Sequence, residues 1–447
     1  MSDSERMLDP SRMQEILRAR LTRRGFLRGA GTGAVGISLG ALLAACAEEG
    51  TTDGQGPTAV SPEDVFDGEI ETGAVNFANW PLYIDKSKDA EGNRIIPSVL
   101  QFKDETGIEV NYTEDIQDNQ EFFGKIQPQL AAGQDTGYDI IVITNGPQFS
   151  ALVRNNWVWP LDTTKRPNFD ANAAAWAKDP IYDVGNKYSM AWQSGVTGIA
   201  VNMDRVNGEV KTLSDLADPA KVGKESVGML RSDMPDFVMI NLGIDPKTSG
   251  EAEWQEAADW LAYQRDQGVV RQYYTQNYTD DMTAGNVSVT MAWSGDVLYY
   301  NLWLHYDGTD PELPNLQFVL PEAGPDGPGG ALLWIDNMLI PAEAAHPDAA
   351  LATMDYYYRP DVATMVTEWV LYMSPVPQTQ ELILKDAEKA YDKGWKGYGN
   401  KLTLTADSDY LYPSDEFLGK TSFGREFETD EEYNAYLDIF SPIWQGE

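Results

Sequence analysis

Cysteine and histidine are almost absent from this chain of 447 residues, which has one cysteine and two histidines. If the single cysteine, Cys46, is modified, no thiol remains for a disulfide, a thiolate metal site or a cysteine nucleophile. Neither His305 nor His346 stands in a spacing typical of metal ligands. No G-x-G-x-x-G sequence follows a predicted strand, the G-x-x-x-x-G-K-[ST] phosphate loop does not occur, and residues 46–447 do not contain the G-x-S-x-G motif of hydrolases. The sequence therefore has no recognisable motif for metal, nucleotide or nucleophilic chemistry.

Basic residues are scarce. The chain has 33 Lys and Arg residues against 70 Asp and Glu residues, which gives a formal net charge of −37. A field of this sign repels nucleic acid and attracts cations, so we expect no nucleic-acid partner. Most of the charge is expected to form a solvated acidic surface, and steering of a cationic ligand is a possible further consequence.

A hydrophobic run long enough to span a bilayer is missing as well. The apolar stretch at 29–45 is rich in glycine and shorter than the roughly 20 residues of a spanning helix. It follows the twin arginines Arg23 and Arg24 and leads into an L-A-A-C sequence that ends at Cys46. A transmembrane helix is the alternative for this stretch, and its length argues against it.

The N-terminal sequence has the features of an export signal. The twin arginines resemble a Tat-type address, and the L-A-A-C sequence resembles the lipobox of bacterial lipoproteins. Residues 1–45 are therefore predicted to be a Tat-type lipoprotein signal peptide, and Cys46 the site of lipidation. Residues 46–73 are rich in Gly, Thr, Pro and acidic residues and are predicted to form a flexible tether. The protein is thus expected to be extracytoplasmic and lipid-anchored to the cell membrane.

The remaining sequence alternates between strand and helix patterns. Short apolar runs predict strands, and longer amphipathic runs that end at Gly or begin with Pro predict helices. The predicted strands are 75–78, 108–112, 138–143, 227–230, 287–293 and 332–341. The predicted helices are 96–105, 119–132, 251–266, 346–358 and 360–369. This alternation predicts an α/β fold.

Aromatic residues stand beside acidic residues where four apolar runs end. The four sequences are N-W-P-L-Y from Asn79, S-D-M-P-D from Ser232, W-S-G-D from Trp293 and W-I-D from Trp334. Ligands of open α/β sheets bind at the carboxyl ends of strands. An aromatic face attracts an organic ammonium by roughly 0.5–2 kcal/mol per contact, and a carboxylate adds a charge-assisted hydrogen bond. The pattern therefore favours a site for an organic cation.

Structural roles are the alternative for each of these residues. The tryptophans can belong to the core, and Asp233 or Asp236 can cap the helix predicted to begin near Phe237. Asp336 is harder to explain in this way. It interrupts an apolar strand, and a buried acid needs a partner.

Several motifs, taken in order, resemble those of the spermidine and putrescine substrate-binding proteins of ABC importers. They are V-N-F-A-N-W-x-x-Y, Q-F-K-D-E-T-G-I-E-V, G-Y-D-I-I-V, S-G-V-T-G-I-A-V-N, M-A-W-S-G-D and W-I-D-N-M-L-I-P. The resemblance runs from about Val75 to Pro377. It implies a two-lobed, type II periplasmic-binding-protein-like fold with a ligand cleft between the lobes. It further implies a first lobe of 74–195 and 337–375 and a second lobe of 196–336 and 376–447.

The resemblance also implies which residues contact the ligand. Carried over position by position, they are Trp80, Tyr83, Thr144, Asp233, Asp236, Trp293, Asp296, Trp334, Asp336 and Tyr372. The implied partners are a polyamine or another small cationic solute, and an ABC permease with its ATPase. No catalytic residue, metal or cofactor is implied, so we do not expect an enzyme.

Two departures from the family pattern leave the ligand open. Pro81 and Leu82 stand where the family has a polar or acidic residue, and Gly146 stands where the spermidine type has an aromatic residue. The same fold with another amine, such as an amino acid derivative, an opine-like compound or a quaternary amine, is therefore an alternative. A secreted hydrolase that uses two of the many acids is a less favoured alternative, and a polyamine sensor is a weaker one still.

Overall fold

The computed structural model describes residues 73–89, 91–305 and 316–446. The predicted signal peptide, Cys46 and all of the predicted tether except its last residue lie outside the described residues. Within the described parts of the chain, no helix is both long enough and apolar enough to cross a bilayer.

Within the described residues, twelve strands are numbered β1 to β12 in chain order. They are Ala74–Ala78, Ser87–Lys88, Arg94–Ile95, Glu109–Thr113, Ile140–Thr144, Ser189–Asn202, Val227–Leu230, Val270–Tyr274, Val289–Trp293, Leu316–Val319, Ala331–Leu339 and Thr421–Phe423. All six predicted strands are present, with ends that shift by one or two residues. Strand β6 was not predicted, although it is the longest.

Fifteen α-helices are numbered α1 to α15 in chain order. They are Pro97–Thr106, Asn119–Ala131, Pro147–Arg154, Pro167–Asn172, Pro219–Val222, Met234–Leu242, Glu251–Asp266, Tyr278–Thr283, Ser294–Tyr299, Pro347–Tyr356, Pro360–Val370, Thr379–Asp392, Lys396–Ala406, Asp415–Leu418 and Asp430–Gln445. The five helices predicted with both ends correspond to α1, α2, α7, α10 and α11, and the helix predicted to begin near Phe237 corresponds to α6. The C-terminal helices α12 to α15 were not predicted.

Local sequence explains where these helices begin and end. Helix α1 begins at Pro97 and stops at Gly107, whose left-handed backbone (φ of 77°) closes the helix. Helix α2 is capped by Asp118, whose side chain accepts a hydrogen bond from the Glu121 amide. Its buried residues Phe122, Ile126 and Leu130 recur every four positions and form one face against the core.

Ten of the strands form one sheet whose order along the main path is β4-β1-β5-β11-β6-β9-β7-β8. At one end β1 runs parallel to β4 and β5, and at the other end β7 runs parallel to β8 and β9. The central strands β6 and β11 pair with each other antiparallel. The sheet therefore has two parallel halves that are connected by an antiparallel pair.

Two hydrophobic cores correspond to these halves. Met190 and Trp192 at the start of β6 belong to the first core, whereas Val196 and Ile199 further along the same strand belong to the second. Strand β6 thus passes from one core to the other, with β11 beside it. The predicted α/β architecture of two lobes is present, and β6 with β11 is the connection between them.

The C-terminal helices divide between the two cores. Ile383, Ala387 and Leu402 of α12 and α13 are buried in the first core, whereas Tyr436 and Phe440 of α15 are buried in the second. This packing differs from the expected assignment of all of 376–447 to the second lobe. Helix α12 packs against α11, so the chain stays with the first lobe for about thirty residues longer than the sequence suggested.

Candidate ligand-binding site

Asp336 lies in the middle of β11, opposite Thr144 at the end of β5. Its carboxylate accepts hydrogen bonds from the Tyr83 hydroxyl at 2.8 Å and from the Thr144 hydroxyl at 2.6 Å. The residue is 6% exposed. Burial raises the pKa of Asp336 to about 6 although these two hydrogen bonds lower it, and the nearby charge of Asp233 raises it further. A cation beside this carboxylate would relieve that cost.

Asp233 stands just before α6 and faces β6 and β9. The Trp293 indole N–H donates to its Oδ2 at 2.9 Å, and the Thr197 hydroxyl donates to the same oxygen at 2.5 Å. Thr197 and Trp293 are direct neighbours in the β6–β9 pairing. The Asp233 side chain makes no capping bond to the helix that follows. The alternative role of Asp233 as a helix cap is therefore wrong.

Asp296 lies in the first turn of α9, directly after β9. It accepts hydrogen bonds from the Tyr278 hydroxyl at 2.8 Å and from the Tyr372 hydroxyl at 3.0 Å. The Tyr278 oxygen also accepts the Trp293 amide N–H at 3.0 Å. Tyr372 belongs to the first core, whereas Tyr278 belongs to the second. Asp296 therefore links side chains of both lobes.

A continuous group of aromatic rings accompanies these three carboxylates. The rings of Tyr83 and Tyr372 meet edge to face at 5.5 Å, and Trp334 lies 5.5 Å from Tyr372. Trp293 follows at 6.5 Å from Trp334. These separations are within the usual range for interacting aromatic pairs. The predicted residues Tyr83, Trp293, Trp334 and Tyr372 thus form one aromatic wall.

Two glycines let this wall pack closely. A β-carbon at Gly195 would lie 2.6 Å from Trp334 Cζ2 and 3.1 Å from Tyr372 Cδ1. A β-carbon at Gly295 would lie 2.6 Å from Tyr372 Cδ1. Gly195 is the β6 residue directly opposite Trp334 in β11. The absence of a side chain at these two glycines therefore lets the Trp334 and Tyr372 rings pack directly against the backbone.

Trp80 and Asp236 have different surroundings. The Trp80 indole N–H donates to the carbonyl of Val142 at 3.2 Å, and its ring packs against the first core. Asp236 accepts the Tyr436 hydroxyl at 2.9 Å and the Arg425 amide at 3.0 Å, and burial raises its pKa to about 6. Trp80 therefore contacts β5, and Asp236 contacts Arg425 and Tyr436 near the C-terminus. The structure brings together the other eight of the ten predicted residues, namely Tyr83, Thr144, Asp233, Trp293, Asp296, Trp334, Asp336 and Tyr372.

Two residues of the cluster were missed from the sequence. Thr197 lies in the S-G-V-T-G-I-A-V-N motif, and its hydroxyl contacts Asp233 because it points to the same side of the sheet as Trp293. Recognising β6 as a strand would have placed it there. Tyr278 lies in α8, where the sequence has no signal that connects it to Asp296.

The chemistry of this cluster is suited to a cation. Within the described residues, the side-chain donors to Asp233, Asp296 and Asp336 are hydroxyl and indole groups rather than lysine or arginine. Three carboxylates that have no basic partner among the described residues favour a positively charged ligand and disfavour an anion. In the same described ranges, no three His, Cys, Asp or Glu side chains are grouped so that they could hold a metal ion.

Comparison with known proteins identifies the family. The family model of the bacterial extracellular solute-binding proteins matches residues 98–395, which is more than half of the chain. The chain belongs to this family. Membership assigns it to the binding proteins of transport systems and not to enzymes, as the resemblance implied.

Curated relatives of this solute-binding protein include polyamine-binding proteins. The putrescine-binding periplasmic protein PotF of Escherichia coli (strain K12) is 28% identical over 322 residues, which cover 68% of this chain and 78% of PotF. Spermidine/putrescine-binding periplasmic protein 1 of Haemophilus influenzae is 27% identical over 287 residues, which cover 64% of this chain and 73% of the relative. The homology is therefore to polyamine-type substrate-binding proteins, at modest identity.

Solved structures confirm the fold. A putative spermidine/putrescine ABC transporter protein from Listeria monocytogenes superposes with a TM-score of 0.64 at 23% identity, covering 84% of this chain and 99% of that one. The substrate-binding protein PotD of Streptococcus pneumoniae gives a TM-score of 0.62 at 22% identity, with the same coverage. At these identities the likeness shows the two-lobed periplasmic-binding-protein fold.

Proposed function

We propose that this solute-binding protein captures a polyamine, putrescine or spermidine, between its two lobes and delivers it to an ABC permease and its ATPase. It acts outside the cytoplasm, held to the membrane by a lipid on Cys46. Binding makes and breaks no covalent bond. The observation that carries the proposal is the group of three carboxylates, Asp233, Asp296 and Asp336, against one aromatic wall.

Each part of a polyamine has a matching surface in this cluster. An ammonium group forms charge-assisted hydrogen bonds with a carboxylate, and its methylene chain packs on aromatic rings. Asp336 and Asp296 lie on either side of Tyr83 and Tyr372 and hold one ammonium, whereas Asp233 holds another. The aromatic wall from Tyr372 to Trp293 takes up the methylenes between them.

Hinge closure is the proposed mechanism. Asp336 is paired with β5 of the first lobe, and Asp233 with Trp293 of the second. A ligand with two cationic ends engages both lobes at once, so it stabilises the closed form relative to the open one. The strands β6 and β11 connect the lobes and are the elements about which they turn.

A ligand screen tests the function. The protein is purified under mild conditions, unfolded, and the released small molecules are identified by mass spectrometry. Isothermal titration calorimetry then measures binding of putrescine, spermidine, spermine, agmatine and glycine betaine, with glutamate as an anionic control. We expect at least one di- or polyamine to bind with micromolar or tighter affinity. Binding of none of them, with binding of betaine or glutamate instead, would disprove the proposal.

A further inference from the structure

The segment of residues 424–427 connects β12 to α15 and lies at one end of the acidic cluster. Strand β12 pairs with β11 over Leu332 and Leu333, which brings the chain close to the site. We name residues 424–427 the tail segment. Its last residue, Phe427, is buried in the second core.

The tail segment and helix α15 together satisfy the carboxylate of Asp236. The Arg425 amide donates to Oδ2 at 3.0 Å, and the Tyr436 hydroxyl donates to Oδ1 at 2.9 Å. The backbone of Gly424 lies so close that a β-carbon there would overlap Oδ2. Unlike a side chain, the backbone of Gly424 and the amide of Arg425 cannot rotate away from the Asp236 carboxylate. A ligand ammonium therefore reaches Asp236 only if the tail segment moves.

The tail segment also contacts the first lobe. The Glu426 carboxylate accepts hydrogen bonds from the Ser150 hydroxyl and from Asn145 Nδ2, the latter at 3.3 Å. Arg154 of the same helix, α3, donates to the carbonyl of Phe427 at 3.0 Å. The segment thus connects the second core to α3, independently of β6 and β11.

The acids of this region form a row. The charge of Asp233 raises the pKa of Asp336 on one side and of Asp236 on the other, and the charge of Asp236 raises the pKa of Glu426. The contacts give the same succession: Trp293 of the aromatic wall donates to Asp233, Asp236 follows in the first turn of α6, and Asp236 accepts the amide of Arg425, the residue before Glu426. Of these acids, Asp236 is in contact with the tail segment and Glu426 belongs to it.

Arg425 adds a positive charge at this end. Its guanidinium lies against the rings of Trp254 and Phe427, forms an ion pair with Glu432, and donates to the carbonyls of Pro246 and Lys247. Its charge is close enough to lower the pKa of Asp236. A ligand ammonium at Asp236 would meet this cation, so the electrostatics oppose a third ammonium there.

We infer that the tail segment closes one end of the acid row and so limits the length of the ligand. The accessible part of the row, with Asp336, Asp296 and Asp233, then suits a diamine such as putrescine in preference to a triamine such as spermidine. This inference rests on the proposed function, because it concerns which member of the polyamine class the same site accepts.

Calorimetry of the unmodified protein is the first test. We expect putrescine to bind at least tenfold more tightly than spermidine. Spermidine binding that equals or exceeds that of putrescine overturns the inference but leaves the proposed function intact. Failure of all di- and polyamines to bind overturns both.

The variant Tyr436→Phe is the second test, because it removes one of the two hydrogen bonds to Asp236 and leaves the ring in place. We expect the ratio of putrescine to spermidine affinity to fall at least threefold. Tyr433→Phe, on the same helix, removes a hydroxyl that contacts Gln148 and serves as the matched control with an unchanged ratio. A ratio that changes equally in both variants, or in neither, contradicts the closure of the acid row at Asp236.

Discussion

Asp336 illustrates what burial does to a single carboxylate. It is surrounded by β5, β11 and the Tyr83 ring, and its only close donors among the described residues are two hydroxyl groups. Neutral donors offset only part of the cost of burying a carboxylate, which is why the pKa of Asp336 stays at about 6. The residue therefore gains more from an ammonium than an exposed carboxylate would.

The substitution Asp336→Asn should weaken polyamine binding strongly. Loss of one charged partner in a desolvated pair costs about 2 kcal/mol or more, so we expect the dissociation constant to rise roughly 30-fold or more. Calorimetry with putrescine measures this change. Asp392→Asn, at an exposed position of α12, is the control and should leave the affinity unchanged. Equal affinities of the two variants would remove Asp336 from the site.

Ligand affinity should depend on pH through the same carboxylate. Because the pKa of Asp336 is raised to about 6, its proton must leave before an ammonium binds, and affinity should fall about tenfold per unit below pH 6. The folding stability of the unliganded protein depends on pH in the opposite direction from the ligand affinity. The folded state binds this proton more tightly than the unfolded state, so this group adds stability as the pH falls from about 6 towards 4.

Calorimetry between pH 5 and pH 8, in buffers of different ionisation enthalpy, measures both the affinity and the released proton. The Asp336→Asn variant should show a flatter profile over the same range. A wild-type affinity that does not change between pH 5 and pH 7 would contradict the raised pKa.

The variant Gly195→Ala tests whether the close approach of β6 to the Trp334 indole matters for stability and binding. In Gly195→Ala the new methyl would meet Trp334 at 2.6 Å, so the ring must move. We expect a loss of about 1–3 kcal/mol in the free energy of unfolding and at least tenfold weaker binding. Gly124→Ala in α2, where a β-carbon meets nothing, is the matched control. It should raise the free energy of unfolding by about 0.5–1 kcal/mol, measured by urea denaturation.

At the scale of elements, the strands differ in how well the sequence predicts them. The strands β1, β5, β7 and β9 were predictable because short apolar runs between turn residues have few other interpretations. Strand β6 was missed because its sequence, with two glycines and several polar residues, lacks a clear alternation, yet thirteen of its fourteen residues are buried. Its burial comes from β9, β10 and β11, which are distant in sequence.

Helix α15 is predicted to be an integral part of the second lobe. Phe440 is fully buried and packs against Tyr436 with a ring separation of 4.7 Å. Phe440→Ala should therefore lower the free energy of unfolding by about 3–5 kcal/mol, measured by chemical denaturation. Asn434→Ala, at an exposed position of the same helix, should change it by less than about 0.5 kcal/mol. A small loss in both variants would mean that α15 is only loosely attached.

At the scale of the whole molecule, we expect charge to affect how fast a cationic ligand arrives. The formal net charge of −37 attracts a dication from a distance, and salt screens this attraction. The association rate of putrescine, measured by stopped-flow tryptophan fluorescence, should fall severalfold between about 20 mM and 500 mM NaCl, with a much smaller change in the dissociation rate. Sucrose of equal osmolality is the control. A rate that does not respond to salt would show that the acidic surface has no steering effect.

The lobe boundaries show the limit of sequence reasoning at this scale. The order of strands and helices was sufficient to predict an α/β fold, because alternation of this kind forms parallel sheets with covering helices. The two lobes were implied by the family resemblance. The lobe to which the C-terminal residues belong could not be predicted in this way, because helices α12 and α13 have apolar faces that could cover either core. The proposed signal peptide, lipid anchor and tether remain predictions from the N-terminal sequence.

The sequence by itself determined the fold class, the family and the residue types of the site, because these follow from periodicity, motif order and the placement of aromatic and acidic residues at strand ends. The tertiary structure alone decided which acids lie together beside the aromatic wall. Asp233 and Asp236 are three residues apart, yet the first meets Trp293 and the second meets the Arg425 amide. That difference arises because distant segments pack against the two sides of one helix turn, and no local pattern contains such long-range contacts.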